Sequence, residues 1–208
     1  ALADPTWIIN PIGKRYPIGA VFEGAKPRYE YFAPDSADAK AHRALQRAFP
    51  GQIVLPETTT TAKNETLLYV YGDREPGGYY SMNMATKNVA PMMYAADWLG
   101  PDQLAVMRDV AIVARDGRKI PAWLTVPVGS DGKNLPLIVH PHGGPFGRMD
   151  SWGYDPTVQM LASHGYALLP VNFRGSTDYG GEHAVAGDKH RGLKTQDELT
   201  DATGWASD

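Results

Sequence analysis

Over the first hundred positions, apolar residues come in short runs separated by turn-forming ones. Thr6-Trp7-Ile8-Ile9 and Ala20-Val21-Phe22-Glu23 flank Asn10-Pro11-Ile12-Gly13-Lys14, which predicts a hairpin. Gln52-Ile53-Val54-Leu55, Thr66-Leu67-Leu68-Tyr69-Val70-Tyr71 and Gly78-Tyr79-Tyr80-Ser81-Met82 are further strand candidates, and the stretch 73–78 makes the turn between the last two. One helix interrupts them. Asp35 or Ser36 caps it, Ala41, Leu45 and Ala48 share a face, and Pro50-Gly51 stops it. Short antiparallel strands with regular turns suggest pieces of a sandwich, barrel or propeller.

Near residue 105 the pattern changes. Val110-Ala111-Ile112-Val113 and the run 120–126 surround an Asp116-Gly117 hairpin turn. Strands and helices then alternate. The apolar segment 135–141 is followed by a helix with Asp155 as cap, Pro156 at its first position, and Val158, Leu161 and Ala162 on one face. A strand over 167–172 comes next. A last helix opens on the capping box Thr195-x-x-Glu198 and aligns Leu199, Ala202 and Trp205. Apolar strands alternating with helices predict a largely parallel sheet covered on both faces. The fold class expected is α/β, with a β-rich unit over 1–104 and an α/β unit over 105–208.

Composition changes this picture little. The 208 residues are 43% hydrophobic and 21% charged, as in ordinary soluble proteins. A net charge of −3 provides no broad basic footprint, which argues against a nucleic-acid partner. Cys is absent, which removes disulfides, a thiol nucleophile and thiolate metal sites. No apolar run approaches the roughly 20 residues of a membrane span.

The candidate chemistry lies in Val139-His140-Pro141-His142-Gly143-Gly144-Pro145. A buried strand here runs directly into two glycines, whose backbone can present bare N–H groups to a ligand. Acyl-transfer enzymes on an α/β sheet use such a turn to stabilise the oxyanion of the tetrahedral intermediate. A plain strand-to-helix turn is the competing reading. The second strand ending in Asn172-Phe173-Arg174-Gly175-Ser176 favours the site, since ligands of open α/β sheets sit beyond the carboxyl ends of the strands. His140 and His142 share a face but lack a third ligand, so no metal or other cofactor is expected. His142 is expected to be a packed, hydrogen-bonded side chain that shapes the turn. Surface positions are expected for His42, His164, His183 and His190, and a solvated helix face for Asp197, Glu198 and Asp201. Arg174 offers a donor fork for a substrate carboxylate or carbonyl, with loop anchoring as the structural alternative. Ser176 follows Gly175 but lacks the second glycine of Gly-x-Ser-x-Gly, and no serine of the chain satisfies that pattern.

Several of these segments, in order, resemble the prolyl oligopeptidase family, nearest its dipeptidyl aminopeptidase and acylaminoacyl-peptidase branch. They are Leu135 to Pro145, Trp152-Gly153-Tyr154-Asp155-Pro156, Gln159-x-Leu161-Ala162-x-x-Gly165-Tyr166-Ala167 and Val171-Asn172-Phe173-Arg174-Gly175-Ser176-Thr177. Ala186-Gly187 and the run 196–202 continue the similarity. Asp73-x-x-Pro76-Gly77-x-Tyr79-Tyr80 and Phe49-Pro50-Gly51 are similar, more weakly, to the last blades of that family's β-propeller. The resemblance implies that 1–104 is the C-terminal part of a propeller and 105–208 the start of an α/β-hydrolase domain. It implies a serine peptidase acting on short peptides, with the Gly144 N–H donating to the oxyanion and Gly143 and Pro145 shaping the turn. Asp178 and Gly181 depart from the family, which more often has Gly and a basic or bulky residue there. In the family, the nucleophilic serine follows the next strand, beyond Asp208, so the 208-residue chain is expected to be inactive alone. The family's strand order also leaves the 135–141 edge bare, and self-association or disorder near 139–150 is expected there. A non-catalytic interaction module and a lipase or esterase are the alternative functions. The compartment stays open between cytoplasm and periplasm.

Overall fold

The computed structural model describes residues 4–22, 27–60, 64–144 and 146–207, so Glu23 and Pro145 lie outside it. The expected hairpin forms from β1 (Pro5–Ile9) and β2 (Gly19–Phe22), and β3 (Arg28–Tyr31) extends it antiparallel. Tyr29 and Tyr31 of β3 cover the small core of Ile9, Ile18 and Val21.

Helix α1 (Ala37–Ala48) is capped by Ser36, whose hydroxyl accepts the Ala39 N–H at 3.2 Å. Its buried face is Ala39, His42 and Leu45, not the expected Ala41, Leu45 and Ala48. The stripe is rotated because His42 goes inward. The Tyr31 hydroxyl lies 2.8 Å from its Nδ1, and the rings of Tyr29 and Tyr31 flank it at 5.8 Å. His42 is thus a core residue, correcting the surface position expected for it. Burial pulls its pKa down to about 4.

Four strands then form an antiparallel meander in chain order: β4 (Ile53–Thr60), β5 (Glu65–Gly72), β6 (Glu75–Asn83) and β7 (Val89–Tyr94). Strand β5 alternates strictly, turning Thr66, Leu68 and Val70 inward. Leu68 and Val70 meet Val54, Met82 and Leu45 of α1 in one cluster. The outer strand β7 was not expected from the sequence. All its residues are exposed and Pro91 sits within it, which an edge strand tolerates.

The last sheet contains β8 (Met107–Val113), β9 (Lys119–Thr125), β10 (Leu137–Pro141) and β11 (Ala167–Val171), in the order β10-β11-β9-β8. Only β10 and β11 run parallel; β9 is antiparallel to both β11 and β8. This corrects the largely parallel sheet expected. The unbroken apolarity of β11 reflects cover on both faces, not strand direction. On one face α2 (Pro156–Ser163) packs Val158 and Ala162 against Leu168. On the other, α4 (Lys194–Ser207) packs Leu199, Ala202 and Ala206 against Ile112, Ile120, Ala122, Leu169 and Val171. Asp155 caps α2 by accepting the Val158 N–H at 2.8 Å, with Pro156 at the first position as expected. A short helix, α3 (Gly181–Val185), lies between β11 and α4.

The meander and the last sheet share a cluster of Ile53, Met107, Trp123 and Trp152. Gln159 latches the same junction. Its Oε1 accepts the Ala105 N–H at 2.8 Å, and its Nε2 donates to Ala105 O at 2.8 Å and Asp73 O at 3.0 Å.

His42 makes stability depend on pH. The unfolded chain takes up a proton near pH 6.5, while the folded chain resists until about pH 4. Stability should therefore fall between those values as the pH drops, by on the order of 3 kcal/mol. Urea denaturation across this range should show that decline in the wild type and a flatter profile in His42→Gln. Equal slopes would contradict the assignment.

Candidate functional site

The site is built where the parallel pair ends. The last ladder pair is Pro141 with Val171, and beyond it both chains leave the sheet at the same end. Gly143 and Gly144 are exposed residues beyond the end of the β10 ladder. Gly144 has φ +131°, and a Cβ there would come within 3.2 Å of the Phe146 amide nitrogen, which leaves glycine the only comfortable residue. Gly143 precedes it with open space around its own Cβ position. Pro145, expected to shape the turn, lies outside the described residues.

His142 braces this turn. Its Nδ1 is 2.9 Å from the Gly143 carbonyl oxygen and its Nε2 is 2.7 Å from Ser176 Oγ. Its ring stacks on Phe173 with centroids 4.8 Å apart and planes 15° from parallel. Because the Gly143 carbonyl and the Gly144 N–H belong to one planar trans peptide, they point in opposite directions. A group holding the oxygen therefore aims the amide. Ser176 is fully buried, so it serves the turn from behind and is not presented as a nucleophile.

The far end of the turn is tied down as well. The Thr177 N–H donates to Arg148 O at 3.1 Å. Asn172 clamps Asp150, its Oδ1 accepting the Asp150 N–H at 2.7 Å and its Nδ2 donating to Asp150 O at 2.9 Å. Trp123 Nε1 donates to the same carbonyl at 3.2 Å. Burial pushes the Asp150 carboxyl up, while His142 and His140 pull it back.

The loop bearing Phe173 and Ser176 is held by an ion triad in which Arg174 and Glu198 are buried and Asp116 lies at the surface. Arg174 Nε donates to Glu198 Oε1 at 2.7 Å, its Nη2 to Asp116 Oδ2 at 2.7 Å, and its backbone N–H to Glu198 Oε2 at 2.7 Å. Arg174 is 4% exposed and Glu198 0%. Glu198 therefore belongs to neither a solvated face nor a capping box, which corrects both expectations. The hydroxyl of Thr195 instead accepts the Gly192 N–H and donates to His190 O. Asp197 and Asp201 pair with Arg115, at 3.3 and 2.7 Å. His183, expected at the surface, is buried and its Nε2 lies 3.1 Å from both Asn172 O and Phe173 O. Gly187 permits the close approach of this loop; a Cβ there would stand 2.7 Å from Gly175 Cα. Asp178 adopts the left-handed φ of +67° that glycine adopts freely, and burial beside Asp4 raises its pKa.

The structure thus brings His142, Gly143 and Gly144 together with Ser176 and Phe173, and places Arg174 behind them. Sequence reasoning did not find Asn172, Asp150, His183 or Glu198. Only a polar residue within an apolar helical stripe could have flagged Glu198. Among the described residues, no three His, Asp or Glu side chains gather as metal ligands.

No protein-family model matches the chain. Dipeptidyl aminopeptidase BIII of Pseudoxanthomonas mexicana is 33% identical over 187 residues, covering 86% of this chain and 27% of the relative. The uncharacterized peptidase YuxL of Bacillus subtilis is 35% identical over 102 residues, covering 48% of this chain and 15% of that one. The chain thus spans about a quarter or less of the length of these relatives. Among solved structures, an acylaminoacyl peptidase of Pyrococcus horikoshii aligns with TM-score 0.62 and 17% identity, over 90% of this chain and 28% of its own. A structure from a study of two prolyl endopeptidases aligns with TM-score 0.64 and 14% identity, over all of this chain and 30% of its own. The chain shares its fold with these structures. More narrowly, the chain belongs to the prolyl oligopeptidase family of serine peptidases.

The triad gives a stability prediction. Glu198→Gln leaves the buried Arg174 charge short of a partner and should cost about 3–5 kcal/mol. The pair Arg174→Met with Glu198→Leu removes both charges and should cost less. Guanidinium denaturation of the two variants decides; an equal or larger loss in the double variant would contradict the triad's role.

Proposed function

We propose that this chain is the part of a serine peptidase that joins the last blades of a β-propeller, residues 1–104, to the start of its α/β-hydrolase domain, residues 105–208. The meander β4–β7 has the form of one blade, and its exposed Met92, Met93 and Tyr94 suit packing against further blades. The protein hydrolyses bonds of short peptides by acyl transfer, and the Gly144 N–H is one of two donors to the oxyanion. The observation that carries this reading is the exposed Gly144 just past the carboxyl end of β10, preceded by a peptide carbonyl, that of Gly143, 2.9 Å from His142 Nδ1. Arg174 serves the site by anchoring the loop, since its donors are engaged by two carboxylates, and not by gripping substrate.

The serine is expected in a Gly-x-Ser-x-Gly within about 20 residues after Asp208, the spacing of a strand and an elbow. The 208-residue chain alone should not turn over an activated ester. In the longer protein, Gly144→Ala keeps the N–H but cannot comfortably hold φ +131°, so it should turn the donor away and lower kcat by up to about 10²–10³ with little change in KM. An unchanged kcat, or titratable turnover by the chain alone, would overturn the reading.

The outer side of β10 bears no strand among the described residues. On this reading it receives a further strand of the same protein, and the chain by itself pairs there with other copies. Sedimentation velocity should show association at micromolar concentrations; a monomer would contradict it.

A further inference from the structure

The donor fork expected at Arg174 is filled by Glu198 and Asp116. A second arginine, Arg148, stands on the turn itself. It is exposed, and among the described residues its guanidinium has neither an ion pair nor a hydrogen-bond partner. Asp150, two residues on, does not neutralise it, since its Oδ2 is buried and has no hydrogen-bond partner among the described residues. Yet the base of the Arg148 side chain is fixed. Its carbonyl accepts the Thr177 N–H at 3.1 Å, and its Cβ and Cγ lie 3.6 and 3.7 Å from where a Cβ on Gly144 would stand. The stem thus passes beside the residue read as the oxyanion donor, and the remaining bonds can carry the guanidinium about 4 Å further.

A peptide bound with its scissile carbonyl at Gly144 extends about 3.5 Å per residue past that bond, which brings a carboxylate one or two residues beyond it within reach of this side chain. The two ends of a short peptide carry opposite charges. The ammonium end lies on the acyl side, and an arginine repels it. The carboxylate end lies on the leaving side, and a guanidinium fork binds it. We propose that Arg148 binds the C-terminal carboxylate of short peptides, one or two residues beyond the scissile bond, and so selects substrates with a free carboxyl terminus. This assignment rests on the reading of Gly144 as the oxyanion donor of a peptidase. The contact holds the substrate before the reaction as well as during it, so it acts on KM more than on kcat.

The longer, serine-bearing protein can be assayed on pairs of short peptides identical except for a free or amidated C-terminus, with the cleaved bond located by mass spectrometry. For bonds one or two residues from that end, amidation should lower kcat/KM by about tenfold or more, mainly through KM, as loss of a hydrogen bond between charged groups does. Arg148→Gln should bring the ratio of free to amidated peptide close to one. Arg108→Gln removes the same charge from β8, at the opposite edge of the sheet, and should keep the wild-type ratio. A wild-type ratio near one overturns the proposal whatever the variants do. So does a ratio that survives Arg148→Gln, an equal loss in Arg108→Gln, or a preference that follows an Asp or Glu side chain and ignores the terminal carboxylate. Absence of cleavage of every peptide overturns the peptidase reading and the proposal with it. The donor reading fails separately, through an unchanged kcat in Gly144→Ala.

Discussion

A peptide unit is rigid, so fixing its carbonyl fixes the direction of the amide on its other side. In this chain a glycine pair just past the end of a strand has the freedom to point that amide almost anywhere. The contact between the Gly143 carbonyl and His142 Nδ1 removes that freedom. What surrounds the turn can be understood as support for this contact. Phe173 sets the plane of the imidazole, Ser176 engages its far nitrogen, and Asn172 and Thr177 hold the segment that follows the turn. Preorganisation of this kind matters in acyl transfer because a donor already aimed costs nothing to reorient as charge develops.

That support is rigid because its own foundation is buried. Removing two charges from water is costly, and the triad of Arg174, Glu198 and Asp116 offsets that cost with three hydrogen bonds of 2.7 Å. In return it joins three distant stretches: the β8–β9 hairpin, the loop after β11, and α4. The same loop leans on His183 and on the close passage of Gly187. Stability is thus spent on placing one loop.

Much of this was legible in the sequence. The cap and proline of α2, the apolar run of β11 and the Asp116-Gly117 turn are local features with local causes, and they form as expected. The glycine turn was legible too, because few other residues accept its backbone. The errors share a different cause. His42, His183 and Glu198 are polar side chains made tolerable inside by partners outside their own helices, namely Tyr31, the carbonyls of 172–173 and Arg174. Each pair joins different elements, so helical or strand periodicity within one element does not reveal it. Strand direction was legible only in part: the 110–126 hairpin was expected and β10 and β11 run parallel, but nothing in the sequence places β9 antiparallel beside β11.

The most direct test of the central claim is a crystal structure of the longer, serine-bearing protein inhibited by a peptide boronic acid. The boronate's tetrahedral oxygens stand in for the oxyanion. The account predicts one of them within about 2.7–3.1 Å of the Gly144 nitrogen, with the Gly143 carbonyl still on His142. A boronate oxygen held by other donors, with the Gly144 amide directed away from it, would contradict the account.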